Sequence, residues 1–294
     1  MEFPFKNVVV IGLGISGLSV AKKLNSIGVN VLLTEVKEDN EKKRIAVELE
    51  KKGIKVVFGK HKEEFLNVCD LVIPSPGVSI MEPFFQKAKE LRVPIWSEVE
   101  LGYQFIKNKN PMIVGVTGTN GKTTTVTLIG EILKKAGKKV KIVGNIGYPF
   151  INAVDNAEDD SIFVVELSSF QLYFIKEFKP FISCILNVKE DHFDWHPTFH
   201  DYIQAKARIL MNQTSNDYAL FNFYDDISKK LSRKARARIV VIGENNPDYS
   251  AYIKDNFIMS NIGGKKKVIE LEKIKLKGRH NIINLMFVLV TSQL

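Results

Sequence analysis

Two successive α/β units, each built on a parallel sheet, are predicted by three observations. Short apolar runs alternate with amphipathic stretches from residue 7 onward, the alternation restarts at "MIVGVT", and a glycine-rich bend follows the opening strand of each unit. Apolar runs without polar interruption, separated by helices, belong to strands covered on both faces, which is the parallel arrangement. A length of 294 residues has room for two such domains.

In order, "NVVVIG" predicts a strand, "GLSVAKKLNSIG" a helix and "VNVLLTE" a strand. The charged helix "EDNEKKRIAVELEKKG" follows, then the strands "IKVVFG" and "DLVIPSPG", the helix "EPFFQKAKELR" and the strand "VPIWS". The stretch "SEVELGYQFIKNKNP" ends in Asn, Lys and Pro and sets a domain boundary near residue 110, giving units 1–108 and 109–294. Beyond it, "MIVGVT", "IFVVELS", "FISCILNV", "YALFNF" and "RIVVIG" predict strands, and "DYIQAKARILM" a helix. Two β-rich segments, "NFIMSNI" and "KKVIELEKIKL", lead to a last helix at "GRHNIINLMFVLV". No internal repeat or low-complexity tract interrupts this order.

Hydrophobic residues make up 45% and charged residues 26%, as in a soluble globular protein. The net charge of +9 raises nucleic-acid binding, but the cations are interleaved with acids, as in "EVKEDNEKKRIAVELEKK". That is the pattern of solvated helix faces, so no nucleic-acid partner is expected, and the basic balance instead favours small anionic substrates. "GGKKKV" reads as a hairpin edge guarded by charge. Cys69 and Cys184 lie in apolar runs and read as reduced core thiols of a cytosolic protein. The N-terminus enters a strand at once, and no apolar run is long enough for a bilayer. A cytoplasmic protein without membrane insertion is therefore expected.

Gly12, Gly14 and Gly17 form G-x-G-x-x-G between a strand and a helix, and Glu35 ends the next strand. These glycines permit a tight turn, a close approach of backbone to phosphate, and close helix–strand packing, so the first unit is read as Rossmann-like. NAD or FAD fits this loop, with Glu35 on a ribose hydroxyl, and so does any other phosphorylated ligand at a helix N-terminus. The second loop, "TGTNGKTT", is sharper. Its N–H groups would wrap a phosphate, Lys122 would reach the terminal phosphates, and Thr123 would hold Mg²⁺, so the second unit is read as a P-loop-type ATP-binding α/β domain. The solitary lysine is expected to have a ligand anion, not a side chain, as its partner. Val116 stands where the general pattern has glycine, five residues before Gly121, which shortens the cradle.

Glu166 ends the buried strand "IFVVE", a position suited to an Mg²⁺ ligand. "NVKEDHFDWH" places Asp191, His192 and Asp194 after another strand and makes them candidates for a second metal site. The oxygen-rich set argues against zinc.

"TGTNGKTT", "GNIGYP", "ELSSFQL", "LNVKEDHFDWH", "YIQAKARIL" and "LKGRHNIIN", in this order, resemble the ATP-dependent Mur ligases of peptidoglycan synthesis over nearly the whole chain. "GLGISG", "PSPGV" and "ELSSFQL" are most similar to the D-glutamate-adding branch. The resemblance implies that the first loop serves a UDP-linked substrate, with Ile15, Ser16, Glu35, Lys37 and Gly77 at positions that touch UDP or its sugar. Glu35 and Val36 replace the Asp and Thr common there. It implies ATP on Gly118, Thr119, Asn120, Gly121, Lys122, Thr123 and Thr124, with Asn281 on the adenine side. Asn145 and His192 match positions near the substrate. Thr123, Glu166, His192 and Lys206, the last as a carbamate, match Mg²⁺ ligands, and Lys122, Glu166, His192 and Lys206 carry the catalytic roles.

The implied reaction phosphorylates the carboxylate of UDP-N-acetylmuramoyl-L-alanine with ATP, and the amine of D-glutamate then attacks the acyl phosphate. The family's C-terminal domain is absent from this sequence, so a monomer that binds both nucleotides with negligible turnover is expected. A non-catalytic UDP-sugar- and ATP-binding fragment, or an NAD- or FAD-dependent oxidoreductase, are the alternatives.

Overall fold

A computed structural model describes residues 3–145 and 147–294. Ile146, within the "GNIGYP" motif, lies outside the described residues. The first sheet contains β1 (Asn7–Ile11), β2 (Asn30–Glu35), β3 (Lys55–Phe58) and β4 (Leu71–Pro74), all parallel in the order β3–β2–β1–β4. Along β1 the pleat sends Val8 and Val10 into one apolar cluster and Val9 and Ile11 into another. Both faces are therefore covered, which is why the run carries no polar alternation. Helices α1 (Ile15–Ser26) and α2 (Asn40–Glu50) connect β1 to β2 and β2 to β3, and α3 (Pro83–Glu90) follows β4. Asp39 caps α2 by accepting the Lys42 N–H at 2.8 Å.

Helix α4 (Glu98–Ile106) leads to a second sheet. Its chain order is β5 (Met112–Thr117), α5 (Lys122–Lys135), β6 (Val140–Gly144), β7 (Ile162–Glu166), α6 (Ser169–Tyr173), β8 (Ile182–Ile185) and α7 (Phe199–Ala207). There follow β9 (Tyr218–Asn222), α8 (Asp226–Ser232), β10 (Arg238–Ile242), β11 (Ala251–Lys254), β12 (Phe257–Ser260), β13 (Lys266–Glu270) and α9 (Arg279–Thr291). Spatially the strands run β13–β12–β11–β10–β9–β8–β5–β7–β6, parallel from β6 to β11 and antiparallel beyond. The edge strand β13 bears Lys266 and Lys267, in keeping with the charged hairpin edge read from sequence. Cys184 is buried and Cys69 partly so, and neither forms a disulfide. Among the described residues no helix is long and apolar enough to cross a membrane.

The expected strand "VPIWS" is not formed. Ile95 makes only an isolated bridge to Val72, flanked by the Val72 N–H to Pro94 and Trp96 N–H to Val72 hydrogen bonds. Pro94 has no N–H to extend the ladder, and Ser97 turns the chain into α4 by capping the Glu100 N–H at 3.2 Å. The stretch read as leading to the domain boundary is largely this helix, whose buried acids bond to the second unit. Its buried Glu100 accepts the N–H groups of Lys176 and Phe178, each at 2.8 Å, and Trp195 Nε1 donates to the Val78 carbonyl at 2.7 Å. A continuous apolar cluster reaches from Val8 through Val99 to Phe221, so the two sheets share a core.

Candidate functional site

The first loop leaves β1 at Ile11 and turns at Gly12, whose φ of +92° lies in the region that favours glycine. Gly17 lets α1 approach: a Cβ there would lie 2.0 Å from the Gly12 carbonyl oxygen. A cavity of about 680 Å³ opens above this loop, at the carboxyl ends of the strands. Ile15, Ser16, Glu35, Lys37 and Gly77 line it, and Asn145 faces it from the second unit. Glu35 is already engaged: it accepts the Leu13 and Lys37 N–H groups at 2.8 Å each, and the Lys42 ammonium lies 3.0 Å away. Burial pushes its carboxyl pKa up, but these hydrogen bonds and Lys42 outweigh it and leave a net depression. Glu35 thus organises the loop itself, a role the motif alone did not distinguish from ligand contact. His61, also lining the cavity, had no signal in the sequence.

In the second unit, β5 ends at Thr117 and α5 begins at Lys122, with Gly121 at φ +85° between them. The Lys122 ammonium donates to the Gly118 and Thr119 carbonyls at 3.0 and 2.9 Å. The expectation of a lysine without protein partners is corrected to this extent: the loop's own carbonyls hold it, and no hydrogen-bonded side chain does. Burial lowers its pKa, against the opposing pull of Glu166 and Asp191. A second cavity, about 610 Å³, lies beside the loop and is lined by Asn120, Gly121, Thr124 and Asn281. Asn187 and Asp225 join that lining without having been singled out by sequence; Asn187 Oδ1 accepts the Asn120 N–H at 2.9 Å.

Glu166 joins the two regions. Its carboxylate accepts the Thr123 hydroxyl at 2.8 Å and the Asn145 amide at 3.1 Å. Gly144 permits the approach, since a Cβ there would lie 2.2 Å from the Glu166 carbonyl oxygen. The adjacent Thr123 hydroxyl and Glu166 carboxylate fit Mg²⁺, which takes one or two protein oxygens together with phosphate and water.

Lys206, on α7, is 2% exposed and donates to the Gly118 carbonyl at 2.9 Å. Burial, reinforced by the nearby Lys122 charge, pushes its pKa well below the usual lysine range. One turn earlier, Tyr202 lies beneath it, with the Lys206 nitrogen 4.5 Å from the ring centroid. The Tyr202 hydroxyl is 3.0 Å from Thr119 Oγ1, and its ring is 6.0 Å from that of His192. Tyr202 is therefore a site residue that sequence reading missed; its position four residues before Lys206 on one helix face was the available signal. His192 has a left-handed backbone (φ 55°) and places Nε2 3.5 Å from Asp191. The expected second metal site on Asp191, His192 and Asp194 is not assembled. Among the described residues, no three His, Cys, Asp or Glu side chains converge on one metal position.

A parallel sheet with a glycine cradle, sharing a core with a second sheet that opens on a P-loop-type bend, defines an α/β protein with two phosphate-type loops. Sequence profiles of the "Mur ligase MurD-like, N-terminal domain" and the "Mur ligase middle domain" match residues 6–97 and 116–292. The chain belongs to the Mur ligase family. It is 43% identical over 286 residues to the UDP-N-acetylmuramoylalanine–D-glutamate ligase of Thermoanaerobacter sp. (strain X514), covering 97% of this chain and 62% of that protein. The enzyme of the same name from Clostridioides difficile (strain 630) is 38% identical, with 97% and 63% covered. The chain thus spans somewhat less than two thirds of these relatives.

Among solved structures, a UDP-N-acetylmuramate:L-alanyl-γ-D-glutamyl-meso-diaminopimelate ligase from Neisseria meningitidis superposes with a TM-score of 0.62 at 16% identity, covering 98% of this chain and 93% of that one. A UDP-N-acetylmuramate–alanine ligase from Thermotoga maritima gives 0.53 at 23% identity, with 98% and 64% covered. At these identities the two structures establish the shared fold.

Proposed function

We propose that this chain forms the UDP-substrate- and ATP-binding part of a ligase that joins D-glutamate to UDP-N-acetylmuramoyl-L-alanine. The observation that carries the reading is the double engagement of Glu166, with Thr123 of the P-loop on one side and Asn145 of the first cavity's lining on the other. An acid between these two residues is suited to the point where the terminal phosphate of one ligand would meet the carboxylate of the other. Relatives bearing the D-glutamate ligase name at 38–43% identity support the choice of substrates.

A carboxylate is a poor electrophile, and phosphorylation by ATP converts it to an acyl phosphate that an amine can attack. Bound Mg²⁺ would neutralise phosphate charge during that transfer. Thr123 and Glu166 would hold the ion, with His192 and carbamylated Lys206 as further ligands. The loop N–H groups and Lys122 would fix the phosphates, moving the ammonium from its carbonyl partners to the anion. Asn145 would orient the acceptor carboxylate, and Asn281 would lie by the adenine. Carbamylation needs a neutral amine: Lys206 Nζ attacks carbon dioxide, an N–C bond forms, and one proton leaves to solvent. Burial of Lys206, which lowers its amine pKa, supports that step.

Equilibrium dialysis tests the reading. The 294-residue chain should hold UDP-N-acetylmuramoyl-L-alanine and Mg·ATP together, one of each. Mutual displacement of the two ligands would overturn it.

A further inference from the structure

The tip of the second loop, Thr119 and Asn120, is bonded to the segment that leaves β8, Asn187 to Lys189. The Asn187 side chain takes both backbone groups of Asn120: Oδ1 accepts the N–H and Nδ2 donates to the carbonyl, each at 2.9 Å. One donor and one acceptor on the same residue fix the orientation of the Asn187 amide. The Asn187 carbonyl accepts the Thr119 N–H at 2.9 Å. The Thr119 hydroxyl accepts the Lys189 N–H at 2.9 Å and donates to the Lys189 carbonyl at 3.2 Å. Both polar atoms of the Asn187 side chain are therefore engaged by the loop itself.

This pairing sorts the amides of the loop. Those of Thr119 and Asn120 are spent on Asn187. Those of Gly121, Lys122, Thr123 and Thr124 head α5, where a helix gives its N–H groups no internal partner, and Gly121 has no side chain to cap them. The carbonyls are sorted too: Gly118 and Thr119 accept Lys122, and Asn120 accepts Asn187. We propose that Asn187 is a positioning residue for the phosphate loop. By holding the Asn120 carbonyl and N–H, it leaves the four amides at the head of α5 as the cradle and keeps a repelling carbonyl from turning toward the anion. The inference rests on the Mg·ATP reading above.

The test joins amide hydrogen exchange, read by NMR, to calorimetry well below the melting temperature. In the wild-type chain the Asn120 amide should be protected before any nucleotide is added, and Mg·ATP should add protection at Gly121 to Thr124. An Asn120 amide that exchanges as fast as a solvated loop, or is protected only by Mg·ATP, overturns the proposal. Asn187→Ala should release the Asn120 amide and weaken Mg·ATP binding about tenfold, the scale of the two lost hydrogen bonds. A released amide with unchanged affinity would reduce Asn187 to a structural residue and overturn its positioning role. Should that variant not fold, Asn187→Leu, which keeps the volume and removes both bonds, replaces it. Inorganic tripolyphosphate with Mg²⁺ separates this proposal from the reading it rests on, because it needs the loop and no adenine pocket. If the wild type binds tripolyphosphate but no Mg·ATP, the ATP reading fails and the same variant, titrated with tripolyphosphate, decides the role of Asn187. If it binds neither, both fall.

Discussion

The Thr123 hydroxyl donates to the Glu166 carboxylate at 2.8 Å, linking the first turn of α5 to the end of β7. In the Mg²⁺ reading these two oxygens separate to share the ion. Glu166→Gln and Thr123→Val should each cut the enhancement of ATP binding by Mg²⁺ by about tenfold or more, since each removes one ligand from a small set. Calorimetric titrations of ATP with and without Mg²⁺ check this; an unaltered Mg²⁺ dependence in Glu166→Gln would remove it from the metal site.

Lys122→Ala should weaken ATP binding by more than about tenfold, the loss expected for a charged hydrogen bond to phosphate. Its two bonds to loop carbonyls mean that stability should also fall, by about 1 kcal/mol. Calorimetry and urea denaturation read the two effects separately. Unchanged nucleotide affinity would contradict the assignment.

Much of the fold was legible because the strands are covered on both faces, so β1, β2, β5, β7 and β8 stand out as apolar runs. "VPIWS" misled because Trp96 is buried, and Val93 and Ile95 partly so, without ladder pairing beyond one bridge. Strand β6 and helix α4 were missed: β6 begins with the lysine-flanked "VKIVG", and α4 hides two acids in the core whose backbone partners lie far along the chain. The phosphate loops were readable because glycine spacing is local. Tyr202 and Asn187 were not, since each acts through contacts between distant segments.

Lys206 should carry a carbamate when bicarbonate is supplied. With ¹³C-bicarbonate, the wild-type chain should show a carbamate carbon resonance that Lys206→Arg lacks. The depressed amine pKa enlarges the neutral, nucleophilic fraction of the side chain. Identical spectra from the two proteins would refute the modification.

Burial of Glu98, opposed by the Ile151 and Phe150 N–H groups and Gln171, raises its carboxyl pKa from 4.5 to about 7. The folded state thus holds this proton more tightly than the unfolded chain. Its stabilising effect is complete below pH 4.5 and is lost as pH rises through 7. Between those limits the loss amounts to about 3 kcal/mol. Denaturation midpoints of wild type and Glu98→Gln, measured from pH 5 to 8, should diverge in that sense. Parallel pH profiles would show that Glu98 stays ionised.

Competition at the first cavity separates a ligase from an oxidoreductase. Its glycine loop would serve NAD in an oxidoreductase and a UDP-linked substrate in a ligase, and Glu35 does not decide between them. Calorimetry with UDP-N-acetylmuramoyl-L-alanine should show one site on the 294-residue chain, undiminished by excess NAD and weakened by Gly17→Ala, whose Cβ would meet the Gly12 carbonyl. NAD displacing the UDP ligand at comparable concentration, or no binding of the UDP ligand at all, would contradict the account.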